Sequence, residues 1–383
     1  KTLQTMQNLS YWERETFLKN IDVLIVGSGI VGLSAALHLK EKSPSLNIVI
    51  AERGTFPSGA STKNAGFSCF GSVSELLDDL ETQSEELVLG LLEKRWLGLQ
   101  RLQERVGRKN MHYFQHGNYE VFKAADRVLF EECRSNMEQL NQKLRPIIGL
   151  KETFSLANHA IDTFGFSGVE QLIWNKAEGQ IHTGKMMQRL LTLAQQQNIQ
   201  ILNGLGIKDL QENGATVEVI TDQAWSLQAK KVLVATNGFA HKLFPSLDVR
   251  PARNQVLITQ PIAGLPIQGA FHYNKGYVYF RNIDNRVLLG GARHLDLEGE
   301  STDAFGFSAD IQAYLTEFLN TTILPNQTVE IEHWWSGIMG IGAAKNPLVK
   351  KVSDNIALAV RMGGMGIAIG SLIGEEGAEV LGL

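Results

Sequence analysis

The sequence predicts an α/β chain in which a discontinuous strand–glycine–helix unit is joined to a mixed, mostly antiparallel sheet. Three observations predict it. Near the start, "IDVLIVGSGIVGLSAALHLKEK" (Ile21–Lys42) runs from strand-like to glycine-rich to helix-like. A strand-like "VLVATNG" (Val232–Gly238) follows in the middle, and the last forty residues return to strand, glycine turn and helix around "RMGGMGIAIG" (Arg361–Gly370). Between these, "VLITQPI", "YVYFRN" and "VLLGGAR" alternate or run apolar, as antiparallel strands do.

Taken in order, Ile21–Gly27 reads as a buried strand, the following residues as a helix ending before Pro44, and Asn47–Arg53 as a second buried strand. Together they make one β–α–β unit. Residues 72–107 carry two capping-box patterns, Ser72 with Glu75 and Thr82 with Glu85, and leucines at helical spacing up to Gly107. They read as two helices. From His112 to about Gln180 the pattern is mixed, with strand-like pieces such as "GNYEVFKA". An amphipathic helix with Thr183 near its start comes next, then strands around a hairpin turn at Asn213-Gly214.

Composition bounds the reading. At roughly 150 residues per domain, 383 residues suggest two domains or three. The apolar share of 44% and charged share of 20% are those of an ordinary soluble protein. Lys and Arg against Asp and Glu give 36 − 40 = −4, so no nucleic-acid partner is expected. Two cysteines, Cys69 and Cys133, form neither a disulfide framework nor a zinc spacing, and no metal is expected. Reduced thiols in a cytoplasm are the simplest reading. The chain begins at Lys1, which leaves open a removed upstream segment. A hydropathy window picks out Ile21–Leu39, but Asp22, Ser28, Ser34, His38 and glycines interrupt it, so no membrane span is expected.

Gly27-Ser28-Gly29-Ile30-Val31-Gly32 fits G-x-G-x-x-G in the strand-to-helix context that gives the motif meaning. Gly27 permits the tight turn. Gly29 lets backbone approach a pyrophosphate at the helix N-terminus, and Gly32 lets helix and strand pack closely. Glu52 ends the second strand, beside Arg53, where a carboxylate accepts hydrogen bonds from ribose hydroxyls. The motif alone does not choose between NAD and FAD.

On the fingerprint with Glu52, on "GASTKNAGF" (Gly59–Phe67), on "VLVATNG" and on the terminal "GGMGIAIG", the sequence resembles the flavoprotein oxidoreductases that include D-amino-acid oxidase, glycine oxidase and sarcosine oxidase. The resemblance runs from Ile21 onward. It implies FAD, held by a discontinuous Rossmann-like FAD-binding domain (18–110, 178–245 and 346–383), with a mixed or antiparallel substrate domain (111–177 and 246–345). The N-terminal glycines would take the pyrophosphate. Ser61, Thr62, Lys63, Asn64, Ala65 and Gly66 would lie along the ribityl chain and ring. Ile207 falls where the family's backbone meets adenine, and Ala235, Thr236 and Gly238 end the third strand. Gly363, Gly364, Met365, Gly366, Ile367 and Ala368 would offer N–H groups to the electron-poor end of the flavin. The two glycine-rich stretches would thus hold opposite ends of one cofactor.

Departures from the family pattern shape the substrate reading. Glycine-oxidase-like members read W-x-G-x-R-P-x-T-P-D-x-x-P where this chain reads "WSGIMGIGAAKNP" (Trp335–Pro347). Met339 stands at the arginine that clamps a substrate carboxylate, and Ala344 at the aspartate. The pattern looks closer to the amine-oxidising branch that includes γ-glutamylputrescine oxidase. Gly337 falls at the cysteine that tethers flavin in sarcosine oxidases, so FAD is expected to be non-covalent. Leu288 falls at the lysine that assists oxygen there, which leaves O2 or another electron acceptor open. By alternation Tyr277, Tyr279 and Arg281 share one strand face; if it lines the cavity, Arg281 is placed to bind an acidic substrate group. Arg253, Arg293, His333 and Lys345 are weaker candidates.

The leading expectation is an FAD-dependent oxidation of an amine or amino acid, with hydride passing from the carbon beside nitrogen to flavin N5. Two others compete. One is a flavin-dependent modifier of RNA side-chain amines, which the acidic charge balance disfavours. The other is a flavoprotein subunit without turnover.

Overall fold

The computed structural model describes residues 9–223 and 225–383. Its first sheet is built on β1 (Ile21–Val26), β2 (Ile48–Glu52), β3 (Ser226–Val234) and β4 (Ile356–Val360). These four strands and Gln200–Asn203 run parallel, in the order β4, β3, β1, β2, 200–203. Parallel strands with both faces covered require continuous apolar runs. Accordingly every residue of β2 and β4 is buried. The hairpin pair Ile207–Asn213 and Thr216–Thr221 extends β3, turning at Asn213-Gly214 as the sequence predicts.

Three helices stack beside this sheet. The helix α1 (Ile30–Lys42) follows the fingerprint, α2 (Glu85–Val106) comes from the leucine-rich stretch, and α3 (Gly366–Val380) from the terminal glycine stretch. Glycines set the packing distance. A Cβ on Gly374 of α3 would lie 2.4 Å from the Val31 carbonyl oxygen of α1, and one on Gly98 of α2 would lie 2.2 Å from that of Ala368. Almost all of α1 is buried.

The second sheet has eight strands, ordered 331–341, 250–259, 286–291, 278–283, 270–273, 118–123, 169–175 and 154–156. Its pairings are antiparallel except for 270–273 against 118–123, so the sheet is mixed. One face packs under the helix Ala309–Phe318 through Phe271, Phe280 and Phe318. In the strand Val278–Ile283, Val278 and Phe280 point into that core, which turns Tyr279 and Arg281 to the opposite face.

Two readings of local structure are corrected. Residues Arg127–Ile148 form a 22-residue helix inside the segment that reads as mixed. Its apolar positions Phe130, Cys133, Met137, Leu140, Leu144 and Ile148 do keep helical spacing, but abundant charge and Pro146 in the last turn mask it. The second capping box is absent: α2 is capped by Ser84, whose hydroxyl accepts from the Leu87 N–H, while Thr82 ends the preceding helix. The first, Ser72 with Glu75, forms on both sides.

Gly98→Val tests the helix spacing. The added side chain meets backbone rather than a movable side chain, so destabilisation of about 2 kcal/mol or more is expected, read as a lower Tm. Unchanged stability would show that α2 can recede freely from α3.

Candidate functional site

A cavity of about 710 Å³ runs between the two sheets. That volume lies within the usual range for small-molecule sites. At one end, Gly27, Gly29, Ile30 and Val31 line it. Gly27 has φ +106°, and a Cβ there would lie 2.9 Å from the Ala235 carbonyl oxygen, so only glycine fits this turn. Gly29 is the N-cap of α1 and supplies no side-chain cap. The Ile30 N–H donates to Ser61 Oγ at 3.0 Å, and the first turn otherwise faces the cavity with its unpaired donors.

Glu52 is buried and borders the same end. Its Oε2 accepts from the Ser28 N–H and hydroxyl, at 3.2 and 2.7 Å, and its Oε1 from the Gly54 N–H and Ser58 hydroxyl. Four donors thus orient it. Arg53 lies 3.7 Å over the Phe239 ring, and both line the cavity, as do Ile207, Ala235 and Thr236.

The middle is walled by Ser61, Lys63, Asn64, Ala65 and Gly66. Asn64 organises this loop, donating to the Ala60 and Ser61 carbonyls while its oxygen accepts from the Gly66 N–H and the Thr183 hydroxyl. Trp335 Nε1 donates to the Lys63 carbonyl, which ties the loop to the second sheet. Gly337 borders the cavity opposite Lys63; a Cβ there would lie 3.1 Å from Lys63 Cβ.

The far end is closed by residues 363–368, the turn into α3. Gly363 and Gly364 have φ of +58° and +82°. Asn237 Oδ1 accepts from the Met362 N–H, and the Gly340 carbonyl from the Gly363 N–H, so the turn is latched from two sides. Helix α3 also starts without a side-chain cap, at Met365. The N-termini of α1 and α3 therefore open onto one cavity, each with free backbone donors. Thr236 Oγ1 and Asn254 Oδ1, both in the wall, are buried without a partner among the described residues. A long ligand with polar atoms at both ends and along its length fits this wall.

Several expected positions lie off the cavity. Gly32 packs α1 onto the strand turn, where a Cβ would lie 2.0 Å from the Gly27 carbonyl oxygen. Thr62 donates to the Pro57 carbonyl at 2.7 Å. Gly238 abuts the Met339 backbone. The Arg281 expectation is corrected: the residue is 2% exposed and does not line the cavity. Its guanidinium donates to the carbonyls of Ala65, Gly66 and Ile181, at 3.1, 2.7 and 2.7 Å. Burial brings its pKa down to about 10. The alternation is right, but the side chain reaches under the 61–66 loop rather than into open space.

Tyr277, Tyr279 and Met339 do line the cavity. Met339 Sδ lies 3.4 Å from Asn254 Nδ2, and a Cβ on Gly364 would lie 3.3 Å from it, which places the thioether beside the C-terminal glycine turn. Burial pushes the Tyr279 hydroxyl well up, so it stays protonated. Of the weaker candidates, Arg293 and Lys345 line the cavity, Lys345 paired with Asp79. Arg253 instead forms an ion pair with the buried Glu300, His333 is exposed, and Leu288 is core. Cys69 borders the cavity, but burial raises its thiol well above the ordinary range and keeps it unreactive.

Sequence reasoning missed a polar group behind the cavity wall. His272 lines the cavity and is 9% exposed. Its Nδ1 meets the Asn118 amide at 2.8 Å, and that amide meets Glu178 Oε2 at 2.6 Å. Nearby, Glu120 is held by Ser72 and Ser74. Burial raises Glu120 to about 7 and Glu178 to about 8, against the hydrogen bonds that pull them down. No motif marks these residues; they meet through sheet register, His272 opposite Glu120, and through the loop that brings Glu178 to Phe70.

Comparison with known proteins now bears on the cavity. A family model described as "DAO: FAD dependent oxidoreductase" matches residues 22–380. The chain belongs to this family. Gamma-glutamylputrescine oxidoreductase of Escherichia coli (strain K12) is 24% identical over 383 residues, covering 94% of this chain and 83% of that protein. Among solved structures, glycine oxidase from Geobacillus kaustophilus superposes with TM-score 0.74 at 19% identity, over 94% of each chain. L-proline dehydrogenase from P. horikoshii superposes with TM-score 0.74 at 15% identity, over 95% of this chain and 93% of that one. FAD is the cofactor of the family, and the wall described above fits it. Among the described residues no helix is long and apolar enough to cross a membrane.

Two outcomes test this geometry. Arg281→Met would strand buried carbonyls of the 61–66 loop, so a loss of roughly 2–4 kcal/mol in stability and weaker FAD retention are expected. A stable, fully yellow variant would show that the clamp is dispensable. For Glu120, the folded state holds its proton up to about 7, against an ordinary 4.5. Between those values the folded protein binds more protons than the unfolded one, so stability falls as pH rises through the window. Glu120→Gln should flatten that fall, on the order of 3 kcal/mol at most, in denaturant titrations across it.

Proposed function

We propose that the protein is an oxidoreductase that uses non-covalent FAD to oxidise the carbon beside an amine nitrogen. The observation that carries this reading is the continuity of one cavity from the Gly29 helix end, along the 61–66 loop, to the 363–368 turn, with Tyr277, Tyr279 and Met339 beside that turn. FAD, when bound, supplies the acceptor for the hydride, and the resulting imine adds water. The chain's own residues bind, orient and exclude solvent. The α1 N-terminus suits the pyrophosphate, Glu52 the ribose, and the α3 N-terminus the negative charge of a reduced ring. Non-covalent binding is favoured by Gly337, which has no nucleophile, and by the inert thiol of Cys69.

Met339 supports an amine without a free α-carboxylate at the reacting end. A thioether offers an adaptable apolar surface, and a buried carboxylate there would lack a charged partner. An acidic group farther along the substrate has a different anchor. Arg293 lines the cavity 5.8 Å over the Tyr277 ring and has no carboxylate partner among the described residues. It takes the place that Arg281 does not fill. Either O2 or another acceptor completes the cycle, and Leu288, buried in the core, leaves that choice to other groups.

The purified protein should be yellow, and acid precipitation should release all the colour. Anaerobic addition of amines should bleach it. Arg293→Met should raise KM for acidic amines about tenfold and leave neutral amines unchanged. Rapid bleaching by glycine, sarcosine or a neutral D-amino acid, undiminished in Arg293→Met, would overturn the reading of Met339.

A further inference from the structure

Behind the cavity wall a single amide atom of Asn118 touches two titratable groups at once. It lies 2.6 Å from Glu178 Oε2 and 2.8 Å from His272 Nδ1. The His272 ring borders the cavity, and its Nε2 has no protein partner among the described residues. The shared atom is either the amide nitrogen or, after a half-turn of the side chain, the amide oxygen. As nitrogen it donates to both neighbours, which requires a carboxylate at Glu178 and a bare Nδ1, hence a proton on Nε2. As oxygen it accepts from both, which requires a carboxylic acid at Glu178 and Nδ1–H, hence a bare Nε2. Mixed states put either no hydrogen or two opposed hydrogens in one of the short contacts.

We propose that His272 is a substrate-facing residue of the cavity, and that Glu178, acting through Asn118, is a positioning residue that sets whether Nε2 accepts from or donates to the bound amine. The proposal rests on the reading of the cavity as an amine site. With Glu178 protonated, Nε2 accepts an N–H from the amine and turns its nitrogen in a defined direction. With Glu178 ionised, Nε2–H opposes that contact.

Two further observations support the switch. A second, small void of about 10 Å³ is lined by Asn118, Glu120, Asn175 and Glu178, the room one water needs. Asn118 Oδ1 and Asn175 Nδ2 are both buried there without partners. A water in that void can donate or accept, so neither amide orientation leaves the outer atom unpaired. Glu178 Oε1, meanwhile, accepts the Phe70 and Gly71 N–H groups at 2.6 and 3.0 Å, which a carboxylic acid can do as well as a carboxylate. The burial that raises Glu178 to about 8 places its changeover near neutral pH, and burial lowers His272, which keeps the ring neutral while it changes tautomer. The ionisable groups around Glu178 are Cys69, Glu75, Arg95, Tyr113, Glu120 across the small void and His272 through Asn118; those around His272 are Glu75, Glu120, Glu178 and Tyr279.

Histidine-selective 15N spectra of the FAD-loaded protein read the tautomer directly, with His272 assigned by its loss in His272→Gln. From about pH 6 to about pH 9 the His272 signal should pass from Nδ1–H to Nε2–H. In Glu178→Gln the side-chain amide can donate or accept, so the pH-dependent change should vanish while FAD absorbance is kept. Asn118→Leu should abolish it too, and serves if Glu178→Gln does not fold. kcat/KM for a bleaching amine should fall about tenfold across the same midpoint in wild type only. A single tautomer throughout the range, or a change that survives in both variants, overturns the proposal. Loss of FAD absorbance from wild type, or no bleaching by any amine, would instead count against the cofactor and amine reading.

Discussion

The close approach of α1 and α3 is the constraint on which the site depends. Each helix begins at a glycine turn, and each would be a weak anion site alone. Gly370 and Gly374 of α3 allow contact with Ile30, Val31 and Ser34 of α1, with Ser34 and Ser371 hydroxyls 3.3 Å apart. Two helix starts are thereby held at fixed spacing beside one cavity. Side chains at these glycines would separate the helices and widen the cavity between its two sets of donors. The packing of Gly98 against the start of α3 continues the same arrangement outward.

The second sheet acts as the opposite wall, and polar ties add to the apolar packing of Phe122, Phe154 and Ile173 that joins it to the nucleotide unit. Arg281 reaches from the strand Val278–Ile283 to two carbonyls of the 61–66 loop and to that of Ile181, and Trp335 to a third carbonyl of the loop, that of Lys63. Backbone carbonyls that face a cavity from an irregular loop need donors. These two side chains provide them, and so align the 61–66 loop with the sheet that carries Tyr277, Tyr279 and Met339. A charge that looked like a substrate clamp instead holds loop backbone.

Behind that wall lies an unusual concentration of buried carboxylate. Glu120 and Glu178 are each fully enclosed, and Glu300 pairs with Arg253 farther off. Burial disfavours the ionised form, and hydrogen bonds from Ser74, Phe70 and Gly71 only partly offset it. Such groups destabilise a fold relative to apolar substitutes, so their presence next to the cavity argues for work on its contents rather than for stability.

The nucleotide half was legible because its signals are local. A strand, a glycine turn and a helix are adjacent in the chain, and apolar periodicity with glycines of restricted conformation marks each piece. That is why the β–α–β unit, the Asn213-Gly214 hairpin, the terminal turn and the alternation of Tyr277, Tyr279 and Arg281 were all readable. The helix Arg127–Ile148 was obscured by its charges and by Pro146, although its spacing was present. What only the tertiary structure decided is where polar side chains end. Arg281 and Arg293 look alike in sequence, yet one is turned under a loop and the other faces the cavity, because reach depends on what the neighbouring chain offers. Likewise His272, Asn118 and Glu178 lie far apart in the chain and are brought together by strand register and by the loop that returns Glu178 beneath Phe70. Periodicity reports which face a residue takes; only the packed structure supplies the partner it meets there.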